Sequence, residues 1–200
     1  IMPSLVGSEM CIRDSCIVCP GHELNTLFPE VIAQAGIRMC TLQMLRVRPA
    51  SPVRLPGSVM SDLSLVRYEG YAELPASAPL RAVLEREQTE FLEQGIHLIA
   101  VQSEDGSLVV GDSHVYGSSE APFASDPIDA LILQEMHRVL DLSGATVSER
   151  WTGTYASAAD VVYKTIAAPG VVVGIVTGGT GASTSFAFGQ ELVDMALHSL

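Results

Sequence analysis

An apolar run from Val171 to Val176 leads through Thr177 into Gly178-Gly179-Thr180-Gly181-Ala182-Ser183, and then into a segment bearing Phe186, Leu192, Val193 and Leu197. Four valines and an isoleucine favour an extended strand, the glycines end it, and the apolar spacing beyond them is that of a helix. A strand that turns on glycines into a helix confines the chain to mixed α and β architectures. Such a turn leaves backbone N–H groups without intrahelical partners at a helix start, where the helix dipole adds to them; an anion or an electron-rich ring edge suits that position. A tight helix start with no ligand is the competing reading. The turn is no Walker loop, because no Lys-Ser/Thr pair follows, and Gly179-Thr180-Gly181 lacks the third glycine of a dinucleotide fingerprint. The chain also stops at Leu200, short of the ribose-binding acid expected about 20 residues further on.

Eleven basic residues stand against twenty-three acidic ones, a formal charge of −12, so the chain's field repels phosphate backbones and anionic lipid headgroups. Nucleic acid and membrane are therefore not expected as partners. No apolar run reaches the ~18 residues of a membrane span, and no basic-then-apolar leader opens the chain, which reads as cytoplasmic. Apolar residues make up 48% of 200 residues, enough for a substantial core. Residues 1–15 have neither helical nor strand periodicity, and Ser4 to Ser15 resembles the conceptual translation of a sequencing adapter. We expect that segment to be non-native, and the strand Cys16 to Cys19, which starts with no turn before it, to follow a missing upstream part.

Pro20-Gly21 then signals a turn, and a short amphipathic stretch around Leu27, Val31 and Ile32 ends at Gly36. Arg38 to Arg48 alternates apolar and polar residues as a strand does, and Pro49, Pro52 and Pro56 enforce an extended connection. Pro79 is expected to open one helix running to Gly95, with Leu80, Val83, Leu84 and Phe91 on its apolar face. Ile96 to Gln102 and Ser107 to Gly111 flank Asp105-Gly106, a hairpin signal that predicts an antiparallel sheet. Ser125 or Asp126 can cap a helix with Pro127 in its first turn and a stripe of Ile128, Leu131, Ile132, Met136, Val139 and Leu140 packed on that sheet. Thr146 to Thr154 and Val161 to Ile166 read as further strands. The fold class is α+β or α/β, with a largely antiparallel sheet flanked by helices.

Gly111-Asp112-Ser113-His114-Val115-Tyr116 ends the predicted hairpin. Ser113 beside an acid and a histidine admits a hydrolase reading, with His114 or His198 as base, yet the partner Asp-x-x-His of such esterases is replaced by Asp194-Met195-Ala196-Leu197-His198. His114 and Tyr116 alternate out of one sheet face, so both can look into a pocket. Cys16, Cys19 and His22 have a spacing that zinc uses, but no second Cys-x-x-Cys exists, so no metal is expected and the free cysteines are assigned to core filling. A non-catalytic ligand-binding module is the third reading.

Four blocks in order carry a family resemblance: Val18-Cys19-Pro20-Gly21, Gln43-Met44-Leu45-Arg46, Gly111-Asp112-Ser113-His114, and Trp151-Thr152-Gly153 followed by the glycine turn. They resemble the C-terminal part of the D-amino-acid oxidase and glycine oxidase superfamily of FAD-dependent oxidoreductases, over most of residues 16–196. Thr26-Leu27-Phe28-Pro29-Glu30 and Glu149 to Ser157 look like the subgroup associated with phosphonate catabolism. The resemblance implies an FAD-binding remnant in 16–37, a substrate-binding domain in 38–167 and a return to the FAD-binding domain in 168–200. It implies that Cys19, Pro20, Gly21 and the run Gly178, Gly179, Thr180, Gly181, Ala182, Ser183 contact FAD, and that His114 and Tyr116 are catalytic. Gln43, Arg46, Arg150, Trp151 and Tyr155 would bind a small amine, oxidised by hydride transfer to the flavin. The arginine that grips a substrate carboxylate in the amino-acid oxidases is replaced here by Thr154-Tyr155-Ala156, so Arg46, Arg48 and Arg150 become the candidate anchors for a phosphonate. The glycine-rich fingerprint for the ADP half of FAD is expected upstream of Cys16, so residues 16–200 alone are expected to bind FAD weakly and to be inactive.

Overall fold

The computed structural model describes residues 14–199. Of the segment assigned to an adapter, all but residues 14 and 15 lies outside that range. The chain divides into two compact units, one made of the residues up to Met39 and those from Tyr155 onward, the other of Cys40–Thr154.

The first unit holds β1 (Cys16–Val18), α1 (Pro29–Ala33), β8 (Val162–Ala168), β9 (Val171–Val176) and α6 (Gly181–His198). Pro169-Gly170 turns β8 into β9, with Gly170 at φ 71, a left-handed conformation that costs glycine little. β1 pairs parallel with β9 and β8 pairs antiparallel, giving the order β1-β9-β8. Because β8 is bonded along β9, 155–167 belong to this unit. The strand period of two sorts β9 into two faces. Val173 and Ile175 pack with Ile32 and Ala156, whereas Val172 packs with Phe188, Leu192 and Ala196 of α6. Gly174 lies on the α6 side, where any Cβ would collide with the Leu192 side chain, which explains a glycine inside an otherwise β-branched strand. α6 buries Phe188, Leu192 and Ala196, one residue every four. Phe186 is 91% exposed and Leu197 62%, so the expected apolar stripe is corrected: the buried face is shifted toward the side that Gly174 opens.

The second unit holds a six-stranded sheet of order β3-β4-β5-β2-β6, with β7 also paired to β2. Its strands are β2 (Arg38–Arg48), β3 (Val59–Met60), β4 (Ile99–Gln102), β5 (Leu108–Gly111), β6 (Val115–Gly117) and β7 (Thr146–Ser157), of which β2 starts and β7 ends in the first unit's residues. β4 and β5 form the hairpin expected at Asp105-Gly106, and β5 continues antiparallel onto β2, with Leu45 opposite Val110 and Val47 opposite Leu108. Helix α5 (Asp126–Val139) lays Ile128, Leu131, Ile132 and Met136 into one core with these four residues. Ser125 makes no side-chain cap for α5. Its backbone is held by Gln43 instead, as described below.

The single helix expected from Pro79 to Gly95 is two, α3 (Ser77–Glu87) and α4 (Thr89–Glu93), and α2 (Glu69–Ala72) precedes them. Gln88 leaves helical geometry at φ −138 and ψ 38, while the Thr89 hydroxyl donates to Glu85 O at 2.6 Å. That competing bond and the change at Gln88 turn Phe91 of α4 into the same core as Leu84 of α3. Cysteine placement also differs from expectation: Cys40 is buried, but Cys16 and Cys19 are exposed, because β1 is an edge strand. No described helix is long and apolar enough to cross a membrane.

Glu135 is fully buried on α5, with the Ser61 hydroxyl beside its carboxylate. Arg138 approaches at 3.3 Å from a half-exposed position. Burial raises the Glu135 pKa above its ordinary 4.5, so the folded chain keeps that proton longer than the unfolded one. Its contribution is full below pH 4.5 and is lost as pH rises through the folded value. Glu135→Met is expected to raise stability at pH 7 by about 1 kcal/mol and to flatten that alkaline loss, as urea midpoints across pH would show.

Candidate functional site

In the second unit, the glycine after α4 organises the chemistry. Gly95 has φ 60 and sits so close to His114 that a Cβ would lie 2.9 Å from the His114 Cβ. Its carbonyl accepts a hydrogen bond from His114 Nδ1 at 2.9 Å, which places the imidazole proton on that nitrogen. Next to it, His97 and Asp112 exchange backbone hydrogen bonds at 3.1 and 2.9 Å, extending the β4–β5 ladder past Gly111. Gly111 itself is a packing glycine, since a Cβ there would collide with Met44.

These backbones bring four rings together. His97 and His114 stack with centroids 4.9 Å apart, Tyr68 meets His97 edge-on at 5.4 Å, and His114 stacks toward Tyr116 at 6.4 Å. The stack confirms that His114 and Tyr116 share a side, as the strand alternation predicts. His97 Nδ1 lies 3.2 Å from Ser64 Oγ, and that hydroxyl also lies 3.3 Å from Leu98 O. His97 Nε2 stands 3.0 Å from Asp112 Oδ1. Arg67 closes the group by donating from Nη2 to the Tyr116 hydroxyl at 2.7 Å. Burial drives the His114 pKa down from 6.5 to about 4; the nearby Asp112 carboxylate opposes the shift and the Arg67 charge adds to it. His114 is therefore a neutral imidazole around pH 7.

His97, Asp112 and His114 each offer an atom within 4.8 Å of the others' atoms, a spacing that metal ligands have. The imidazoles are stacked at 24° to each other, so their in-plane lone pairs run side by side instead of converging on one ion. Cys16, Cys19 and His22 do not form such a group among the described residues. Ser64, His97 and Asp112 follow the order of a catalytic triad, but Ser64 has no exposed surface and its hydroxyl is bonded to Leu98 O. Ser113 is equally inaccessible, and its oxygen accepts the Gln43 backbone N–H at 3.1 Å. Neither serine is presented as a nucleophile.

The other residues implied for substrate binding fall into two groups. Gln43 is buried, with Nε2 donating to Asp129 Oδ1 at 2.7 Å and to Ser125 O at 3.1 Å, while Oε1 accepts the Ser125 N–H at 2.7 Å. Its amide thus ties β2 to the start of α5. Arg150 donates to the other Asp129 oxygen at 2.8 Å, Arg46 to Glu149 at 3.0 Å, and Arg48 lies 3.3 Å from Asp105. Each of these arginines already faces a carboxylate. Trp151 is 37% exposed on β7, and Tyr155 follows it on the same strand in the first unit's residues. A cavity of about 580 Å³ at the end of α5, lined by His137, Arg138, Asp141 and Ser143, contains none of the candidate residues.

In the first unit, Thr177 is buried and pinned by its hydroxyl to Asp160 O at 2.5 Å. Beyond it the chain turns through Gly178 to Thr180 into α6, and the Thr180 side chain caps none of the first N–H groups. Gly178, Gly179 and Gly181 are not among the left-handed glycines. A Cβ at Gly179 would meet nothing within 4 Å; at Gly178 it would touch Val161 at 3.9 Å and at Gly181 Val176 at 3.5 Å, ordinary contacts. Nothing in the described fold demands glycine at these positions. Ala182 and Ser183 lie in the first turn of α6 and are exposed. Cys19 is exposed, Pro20 half-buried, and Gly21 turns the chain at φ 64.

No protein-family model matches the sequence, and no curated protein does. Solved structures do match its fold. Glycine oxidase from Geobacillus kaustophilus superposes with a TM-score of 0.64 at 15% identity over 92% of this chain and 41% of its own. Glycine oxidase from Bacillus cereus gives 0.63 at 12% identity, over 93% and 42%. L-amino acid deaminase from Proteus vulgaris gives 0.55 at 15% identity, over 92% and 39%. The chain therefore spans about two fifths of the length of these proteins and shares the mixed, largely antiparallel fold of that part of them.

Proposed function

We propose that this chain is part of an FAD-dependent oxidoreductase that oxidises the C–N bond of a small amine, an aminophosphonate such as 2-aminoethylphosphonate being the favoured substrate. The observation that carries the reading is the turn at Gly178 to Gly181: a helix start without a side-chain cap, in which glycine is required by no neighbour and no backbone strain. Small residues without an internal reason suit a surface against which a ligand is laid. The motif resemblance and the fold shared with glycine oxidases and an amino acid deaminase point to the same class.

Flavin, when bound, supplies the two-electron acceptor for the hydride leaving the carbon next to nitrogen. The chain's part is binding and orientation. Backbone N–H groups of 178–182 would hold the electron-rich ring edge, the Ser183 N–H being bonded to Thr180 O, with the dipole of the 18-residue α6 behind them. His114, kept neutral by burial, would present an uncharged imidazole to the substrate amine, whose lone pair must be free for loss of hydride. In the second unit, Tyr116 and Trp151 would line the substrate side.

The test is anaerobic mixing of the flavin-loaded protein containing this chain with amines, amino acids and aminophosphonates. Bleaching of the oxidised flavin band by an amine is expected. If none of these compounds bleaches it while dithionite does, the reading is wrong.

A further inference from the structure

His97 is almost wholly buried, yet it carries a polar ring in a stretch whose neighbours Ile96, Leu98 and Ala100 all join the core. Both of its ring nitrogens stand against protein groups: Nδ1 lies 3.2 Å from Ser64 Oγ and Nε2 lies 3.0 Å from Asp112 Oδ1. Partners on two edges of an imidazole fix the plane of the ring and leave neither nitrogen for a substrate. Those partners are themselves anchored. Ser64 belongs to the 3-10 turn Asp62–Val66, whose Leu63 and Val66 are core residues, and Asp112 exchanges both backbone hydrogen bonds with His97 at 3.1 and 2.9 Å. A side chain that only filled this space would be better apolar, because burying a polar ring costs desolvation that its contacts at best return.

The His114 imidazole lies on that ring, with centroids 4.9 Å apart and planes 24° from parallel. The hydrogen bond from His114 Nδ1 to Gly95 O acts at one edge atom, whereas the stack acts over the whole face. A bond at an edge tolerates tilting about its own axis, and an immobile face against the ring does not. We propose that His97 is a positioning residue of the site: clamped between Ser64 and Asp112, it is the plate that sets the orientation of the His114 imidazole toward the substrate amine. The inference rests on the function proposed above and adds the side chain that orients its imidazole. It also gives Ser64, whose hydroxyl is too buried to be a nucleophile, a part in the site as one jaw of the clamp.

The experiment pairs anaerobic reduction of the flavin-loaded protein, by the amine that bleaches it fastest, with nitrogen NMR of the imidazoles in the same protein. His97→Leu, which fills the space without a flat anchored face, is expected to slow flavin reduction at saturating amine roughly tenfold or more, while the Kd of the amine changes less than about threefold. In the spectra, His114 is expected to pass from one Nδ1–H tautomer to an average of both, a change that loss of stability alone does not produce. His97→Phe, which keeps a flat ring but neither nitrogen, should fall between. So should Ser64→Ala, which removes one jaw of the clamp and reports even if the Leu variant does not fold. His137→Gln, exposed near the end of α5, is the control. A His97→Leu protein whose His114 keeps its original tautomer, or whose slower reduction is matched by an equal loss of amine binding, would mean that His97 only fills space. If no amine bleaches the flavin while the His114 spectrum still changes in this graded order, the oxidoreductase reading fails and the positioning role stands.

Discussion

Gly179→Leu is expected to leave the fold intact and to weaken flavin binding roughly a hundredfold, about 2.7 kcal/mol. The separation of the two effects is the informative part. A side chain at position 179 starts from open space, with nothing within 4 Å of its Cβ and no left-handed backbone to strain, so stability should change by less than about 0.5 kcal/mol. On the function proposed above, the same side chain would stand, in the flavin-loaded protein containing this chain, where a flat ring is laid against the backbone. Flavin retained after gel filtration and the urea midpoint of the flavin-free protein measure the two quantities separately. An unchanged flavin content, or a midpoint that falls in step with it, would mean that the glycines serve only to start α6. Gly174 provides the contrast: it has an internal reason, contact with Leu192, and its replacement should destabilise the unit directly.

The second large effect is loss of stability in acid. His114 titrates near 6.5 when unfolded and at about 4 when folded, because burial penalises the imidazolium. Between those values the unfolded chain binds the extra proton, so the contribution is complete above pH 6.5 and disappears as pH falls toward 4. The difference amounts to on the order of 3 kcal/mol. His114→Gln, which keeps a donor for Gly95 O but cannot titrate, should lack this portion of the slope. Urea midpoints measured at a series of pH values for both proteins decide the matter, and parallel curves would show that His114 is not the group responsible. Glu135 acts in the opposite sense as pH rises above its ordinary 4.5, but it is common to both proteins and cancels in the comparison.

Periodicity made much of the architecture legible. The β4–β5 hairpin, the stripe of α5 and the strand-turn-helix from β9 to α6 follow from residues close in sequence, where local propensity and burial agree. What was hidden depends on partners far along the chain. Arg67 touches Tyr116 across 49 positions, and Gln43 reaches Asp129 across 86, so neither role has a local signature. His97 lies between apolar residues inside the strand expected over Ile96 to Gln102, and only the backbone pairing with Asp112 stacks it on His114. A one-sided helix pattern likewise carries no information about a break such as Gln88, or about which side of α6 a strand glycine will admit.

The pairing of β1 with β9 has a consequence for biosynthesis. Cys16–Val18 is synthesised about 155 residues ahead of its hydrogen-bonding partner Val171–Val173. Cys40–Thr154 is contiguous and can acquire its core while still tethered. That strand must meanwhile wait for β9, with the thiol of Cys16 within it and that of Cys19 just beyond it, which leaves this short stretch of the nascent chain open to chaperone capture or oxidation.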